Sequence, residues 1–115
     1  MLKKHVTIES KKLRDSARGQ QCTIRLPGVC NSNQETTVLC HLPGAGMGMK
    51  SSDVHAAFGC SACHDEVDRR TRNVLRDVAM LAFFYGMVRT QQYWIDEGYL
   101  TAGDRKRFSV ASNTR

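Results

Sequence analysis

Two cysteine pairs carry the strongest chemical signal in this chain of 115 residues: Cys22 with Cys30, and Cys60 with Cys63. Zinc takes thiolate or imidazole ligands at the corners of a tetrahedron, so four cysteines in two local pairs form a complete ligand set. Cys60-Ser61-Ala62-Cys63 is a CxxC, in which two intervening residues let one tight turn aim both sulfurs at a single ion. Cys22 and Cys30 enclose seven residues, among them Pro27-Gly28, a turn dipeptide that can bring the ends together through a bulged turn. The same cysteines could be buried, unliganded thiols, or the CxxC a redox pair. A redox CxxC follows a strand in a βαβ unit, and no such unit is visible. A structural zinc on Cys22, Cys30, Cys60 and Cys63 is therefore expected, since four thiolates leave no open position for chemistry.

Beside this knot lie groups suited to a second ion. His64 directly follows Cys63, and neighbours on a helix point about 100° apart, so His64 looks toward a different site. Asp68 stands four residues on, on the same helical face, where a His and a carboxylate can share one divalent ion. Arg69 and Arg70 follow, placed to meet phosphate. His41 ends a β-rich run two residues before Pro43. If a hairpin packs on the helix, His41 faces His64 across a cleft that Asp53 and His55 would complete. Cys40 reads most simply as a buried strand cysteine.

The positioning elements follow from composition. Residues 1–19 form a basic arm with Lys3, Lys4, Lys11, Lys12, Arg14 and Arg18, and one helical turn near Lys11 to Arg18. Its Leu2, Val6, Ile8 and Leu13 are too few for a core element, so it would either lie on a phosphate backbone or hang as a loose terminus. CTIRL and TTVLCHL read as strands closed by Pro-Gly turns. GAGMGMKSSD reads as a loop, with Met47 and Met49 folding back on the core, and VHAAFG as the return strand of a hairpin. Ser61 could cap a helix whose Asp65 and Glu66 favour the positive end of its dipole. A longer helix spans roughly Leu75 to Glu97, with Gly98 as its cap. Val78, Ala82, Tyr85 and Arg89 mark one stripe of it, and Leu75, Ala79, Phe83 and Met87 a second. That apolar face is broader than one exposed helix needs and hints at a homodimer. Tyr85, Tyr93 and Trp94 fit core or dimer contacts better than base-stacking platforms. The folded domain is placed at residues 20–98, and 99–115 is a polar tail.

Composition narrows the class. A chain this short supports one domain, for which a metal staple is useful. The net charge of +6 suits a polyanion, with DNA the expected partner and bland solubility the alternative. No apolar run approaches a membrane span, and the N-terminus lacks the apolar core of a secretory signal. A cytoplasmic location with reduced cysteines is expected, and five cysteines fit poorly with a full disulfide framework.

LCHLPG, then a loop, then CSACH resembles the HNH endonucleases, the ββα-metal fold. More narrowly, CTIRLPGVCN, LCHL and SSDVHAAFGCSACHDEVDRR resemble the YbcO-like prophage nuclease family over about residues 14–98. The resemblance implies an α+β fold: a small ββα-metal domain stapled by a four-cysteine zinc, with an added C-terminal helix. It implies a metal-dependent endonuclease that hydrolyses DNA phosphodiester bonds. His41 would be the general base and His64 a ligand of a catalytic Mg²⁺ or other divalent ion; Asp53 and Asp68, placed beside them by the spacing above, are the further expected site residues. Such motifs commonly carry an acidic residue or His before the first His, and Asn where His55 stands. Here Cys40 precedes His41, and a thiolate suits zinc better than Mg²⁺. Two other functions fit the residues: a non-catalytic zinc-stabilised DNA-binding or adaptor domain, and a protein-interaction module using the long helix. A recombination protein is a further candidate partner.

Overall fold

The computed structural model describes residues 7–44 and 51–101. Its centre is an antiparallel hairpin of β1, Val38–His41, and β2, Ala56–Gly59, with Leu39 opposite Phe58 and His41 opposite Ala56. Both strands fall where TTVLCHL and VHAAFG place them. Successive side chains leave a strand on opposite faces. Here that rule divides the core in two. Leu39, Ala56 and Phe58 join Leu13, Ala17 and Trp94 on one side. Cys40 and Ala57 join Ile24, Leu26, Phe83 and the cysteines Cys22, Cys60 and Cys63 on the other.

The expected strand over CTIRL does not form. Arg25 has φ +56°, in the left-handed region, which breaks an extended run. The segment attaches to β2 through Thr23, whose backbone N–H donates to the Phe58 carbonyl at 2.8 Å. The Thr23 hydroxyl donates to the same carbonyl at 3.0 Å and lies 2.9 Å from Thr90 Oγ1, which accepts from the Phe58 N–H at 3.0 Å. This buried chain of polar groups fixes the long helix to the hairpin with its donors satisfied.

The N-terminal arm is more than a loose end. Ser10 caps α1, Lys11–Ser16, by accepting from the Leu13 N–H at 3.2 Å. Leu13, expected to be too isolated for a core, is buried with Ala17 against Trp94, whose indole N–H donates to Ser16 Oγ at 2.8 Å. Residues Gln34–Thr36 make a 3₁₀ turn before β1. Met47, Met49 and the basic residues after Gly103 lie outside the described residues.

α2, Ser61–Val67, is capped by Cys60 and not by Ser61: Cys60 Sγ accepts from the Cys63 N–H at 3.4 Å. α2 ends as Arg69 turns to φ +61°. Glu66, expected to sit near the helix start as a dipole partner, is buried instead. Its carboxylate accepts from Thr71 Oγ1 at 2.6 Å, the Val74 N–H at 2.8 Å and Asn73 Nδ2 at 3.2 Å, which ties down the turn into the next helix. The Thr71 hydrogen bond above all, with those from Val74 and Asn73, holds this carboxyl below its ordinary range against the opposing effect of burial.

α3, Arg76–Asp96, matches the expected long helix and lies across β2. Its inward stripe is Ala79, Phe83, Gly86, Thr90 and Trp94, so Phe83 and Trp94 are core residues, whereas Val78 and Tyr85 face outward. Gly86 sits where the helix meets Ile24: a Cβ there would lie 3.0 Å from the Ile24 Cα. Backbone cannot swing aside as a side-chain tip can. Gly86→Ala is therefore expected to destabilise the protein by about 1–3 kcal/mol, despite alanine's better helix propensity. Urea denaturation measures this, and an unchanged or raised midpoint would show that the contact has slack.

Candidate metal centres and the adjacent histidine

The four cysteines of the expected knot converge. The Sγ atoms of Cys22, Cys30, Cys60 and Cys63 all lie within 4.8 Å of one another. Cys60 and Cys63 stand at the start of α2, while Cys22 and Cys30 bracket the turn at Pro27-Gly28, in which the Val29 and Cys30 N–H groups both donate to the Leu26 carbonyl. Cys30 and Cys60 Sγ are 3.8 Å apart, the separation of roughly 3.8 Å that tetrahedral Zn–S bonds of about 2.3 Å impose. Backbone N–H groups of Arg25 and Asn31 point at Cys22 and Cys60 Sγ at 3.5 Å. This four-cysteine cluster can hold a metal, and its donors fit zinc. Cys22, Cys60 and Cys63 are buried, which suits a structural ion.

A second group of donors adjoins the first. Cys40 Sγ, a His64 ring nitrogen and an Asp68 carboxylate oxygen also lie within 4.8 Å of one another. His64 is therefore outside the cysteine knot, as its place after Cys63 requires. Its Nε2 is 3.1 Å from Asp68 Oδ2, across one helical turn, and both side chains are partly exposed, at 28% and 26%. Cys40 arrives from β1 below them and is fully buried. Burial pushes its thiol far up, and the charge of Asp68 adds to the effect, so without a cation Cys40 keeps its proton. Cys40, expected as a buried strand cysteine, is buried and also stands as a third donor beside His64 and Asp68.

His41 has a different partner. Its Nε2 lies 2.7 Å from Asp53 Oδ1. Asp53 is buried, and its other oxygen accepts from the Ser10 N–H at 2.6 Å and from an Arg14 guanidinium N–H at 2.7 Å. Burial raises this carboxyl, but the hydrogen bonds from His41, Ser10 and Arg14 outweigh it and hold Asp53 below its ordinary range, as an anion. An ionised carboxylate only accepts, so the proton of neutral His41 must sit on Nε2, and Nδ1 carries the free lone pair. The structure thus joins His41 to Asp53, and His64 to Asp68 and Cys40. Among the described residues no hydrogen bond links His41 to His64, and strand alternation sends Cys40 and His41 to opposite sides of β1. Cys40 and His41, consecutive residues at the end of β1, connect the two groups through the backbone.

His55 stays out of both groups. It is exposed, and its backbone serves the loop: its N–H donates to Ser52 and its carbonyl accepts from Leu42. Arg69 lies 3.5 Å from Glu66, and Arg70 lies 3.5 Å from Asp65 while staying largely exposed. Sequence reasoning missed Ser10 and Arg14 as supports of Asp53, because a basic arm gives no sign of docking on a residue 39 positions away. Among the described residues no helix is long and apolar enough to cross a membrane.

Comparison with known proteins agrees with this architecture. The family model described as "Putative nuclease YbcO" matches residues 11–99. The chain is 48% identical over 93 residues to "Putative nuclease YbcO" of Escherichia coli strain K12, covering 78% of this chain and 97% of that protein. It matches "Putative nuclease ybcO" of Enterobacteria phage 82 to the same extent, 48% over 93 residues, covering 78% of this chain and 97% of that one. A solved structure, "Structure of a putative bacteriophage protein from Escherichia coli str. K-12 substr. MG1655", superposes with a TM-score of 0.69 at 47% identity and covers 76% of this chain and 100% of its own. With the cysteine knot, the hairpin and the long helix all inside the matched span, the chain belongs to the YbcO family, a family named for nuclease activity.

Proposed function

We propose that this protein is an HNH-type, metal-dependent endonuclease that hydrolyses phosphodiester bonds in DNA. One observation carries the reading: His41 is held by buried, anionic Asp53 with Nδ1 free, one residue from the Cys40–His64–Asp68 donor group. A base and an ion site on neighbouring residues are the two components that hydrolysis of a phosphodiester needs. The net charge of +6 supports a polyanionic substrate.

The residues divide the work. His41 Nδ1 takes the proton of a water aimed at phosphorus, and Asp53 keeps the ring oriented and balances the imidazolium that forms. Arg14 and Ser10 keep Asp53 in place. Arg70, exposed at the end of α2, meets a non-bridging phosphate oxygen. Cys40, His64 and Asp68 would hold the divalent ion, which supplies positive charge against the phosphate and the leaving oxygen. Binding there requires Cys40 to give up its proton, which ties occupancy to pH. The mixed sulfur, nitrogen and oxygen set fits Zn²⁺, Co²⁺ or Mn²⁺ better than Mg²⁺, the ion expected from the resemblance alone.

Supercoiled plasmid incubated with the purified protein and each of these four ions tests the reading. Nicking is expected, stronger with Mn²⁺ or Co²⁺ than with Mg²⁺, and His64→Ala should lower it by about 100-fold or more, since several kcal/mol of charge stabilisation leave with the ion. If the protein binds plasmid but nicks under no ion, the DNA-binding or adaptor reading replaces the enzyme.

A further inference from the structure

Much of the positive charge of this chain is engaged within the molecule. Among the described residues, Lys11 pairs with Asp15 at 2.6 Å, Lys12 lies 5.0 Å over the Tyr99 ring, and Arg14 holds Asp53. Arg25 and Arg89 donate to the carbonyls of Cys22 and Thr23, at 3.3 Å and 2.7 Å. Arg69 reaches Glu66 and Arg70 reaches Asp65, each at 3.5 Å. Arg18, Arg72 and Arg76 are exposed and make no ion pair or side-chain hydrogen bond among the described residues. Arg72 and Arg76 both belong to the run RRTRNVLR, residues 69–76, which joins α2 to α3 and holds four arginines and no acid. Of its acidic neighbours, Asp68 faces His64, and Asp77 lies on the outward side of α3 with Leu81, four residues on.

We infer that the α2–α3 turn is where this protein holds the phosphate backbone of DNA, and that buried Glu66 is the positioning residue that keeps the turn in shape for it. Three observations carry this. First, folding does not account for the arginines. Arg76 is the first residue of α3, where the helix dipole disfavours a cation, and Arg72 has no partner in the chain. Second, Glu66 is fully buried, and a charge in the core is costly unless its hydrogen bonds are satisfied. Its bonds go to Thr71, Asn73 and the Val74 N–H, on both sides of Arg72. A surface turn needs no buried carboxylate merely to join two helices, whereas a turn ordered in advance loses less freedom when it meets a ligand. Third, the turn starts at the candidate ion site, since Arg69 directly follows Asp68. Under the endonuclease reading, which this contact presupposes, Arg70 meets the phosphate at that site, and Arg72 and Arg76 meet phosphates beyond it. The cations of α1, engaged with Asp15, Tyr99 and Asp53, are not the main contact.

Fluorescence anisotropy of the full chain on labelled duplexes of two unrelated sequences tests the contact, with no divalent ion added and potassium chloride varied. Arg72→Ala with Arg76→Ala should weaken binding to both duplexes alike, by about tenfold or more, and lower the slope of log affinity against log salt by about 2. Arg72→Lys with Arg76→Lys should keep the wild-type slope, and Lys11→Ala with Lys12→Ala should bind nearly as wild type does. Glu66→Gln, with its fold checked by circular dichroism, should weaken binding in the wild-type chain but add nothing in the Arg72→Ala/Arg76→Ala chain, where the side chains it serves are gone. An equal loss in both chains would remove Glu66 from the contact. A wild type that binds neither duplex, an arginine double variant with wild-type affinity and slope, or an equal loss from the two lysines overturns the turn as the DNA contact. Plasmid nicking is scored separately. A protein that binds through the turn but nicks under no ion overturns the endonuclease reading and leaves the contact standing, and a nicking protein indifferent to Arg72 and Arg76 does the reverse.

Discussion

Purified protein is expected to carry one zinc in the four-cysteine knot, and stripping that ion is expected to unfold it. The physical case rests on what the knot holds together. Cys22, Cys60 and Cys63 belong to the core cluster that also contains Ile24, Leu26, Val67 and Phe83. The segment from Cys22 to Leu26 has no regular secondary structure. Beyond the Thr23 hydrogen bonds, it is held by the packing of Ile24 and Leu26, and a zinc on Cys22 would be its further anchor. Structural zinc sites bind with apparent free energies of about 10–16 kcal/mol near neutral pH, while whole domains are stable by only about 5–15 kcal/mol. Loss of the ion therefore leaves no margin. Cys63→Ser, or a strong chelator, should abolish the cooperative melt seen by circular dichroism, and elemental analysis should find about one zinc per wild-type chain. The ion competes with protons for its thiolates, so acidification should release it and lower stability in step. A chelated protein that melts like the untreated one, or a wild type with no zinc, would show that the cysteines are merely packed. The second core cluster, around Leu13, Phe58 and Trp94, lies away from the knot, and any structure left after chelation should be confined to it.

What the sequence could show depended on the distance between cause and effect. The CxxC, the two hairpin strands and α3 depend on neighbours within a few residues, and they stand where spacing and β-branched or helical patterning put them. CTIRL misled because β-branched composition is a weak guide to strand pairing. The segment is threaded under α3, where Gly86 and Thr90 make room and supply a partner, and neither is visible from residues 22–26. Glu66 misled in the same way. In the run CHDEVDRR it looks like any helical acid, yet it organises Thr71, Asn73 and Val74 of a turn that exists only once α2 and α3 are folded. Cys40 is the instructive case at the candidate site. Strand alternation alone buries it, and only the packing of α2 on the hairpin brings His64 and Asp68 to its sulfur.

His41→Ala is expected to lower the nicking rate by about 10²–10⁴-fold, the usual worth of a positioned general base. The loss should fall on turnover and spare folding, and the surrounding contacts say why. His41 is partly exposed at the end of β1, and the hydrogen bond to Asp53 is the one its ring makes among the described residues. When the imidazole is removed, Asp53 keeps the Ser10 N–H and the Arg14 guanidinium, so no buried carboxylate is orphaned. The zinc content, the melt and DNA binding should therefore match wild type. Asp53→Ala should behave differently. It frees the ring to rotate and also releases Ser10 and Arg14, so it should cost both turnover and stability, the second through the docking of α1. Removing Arg14 alone should show the same pattern in smaller measure, because that side chain acts on His41 only through Asp53. Equal nicking by wild type and His41→Ala, at equal metal content, would remove His41 from the chemistry and leave its contact with Asp53 as a fastener between the hairpin and the N-terminal helix.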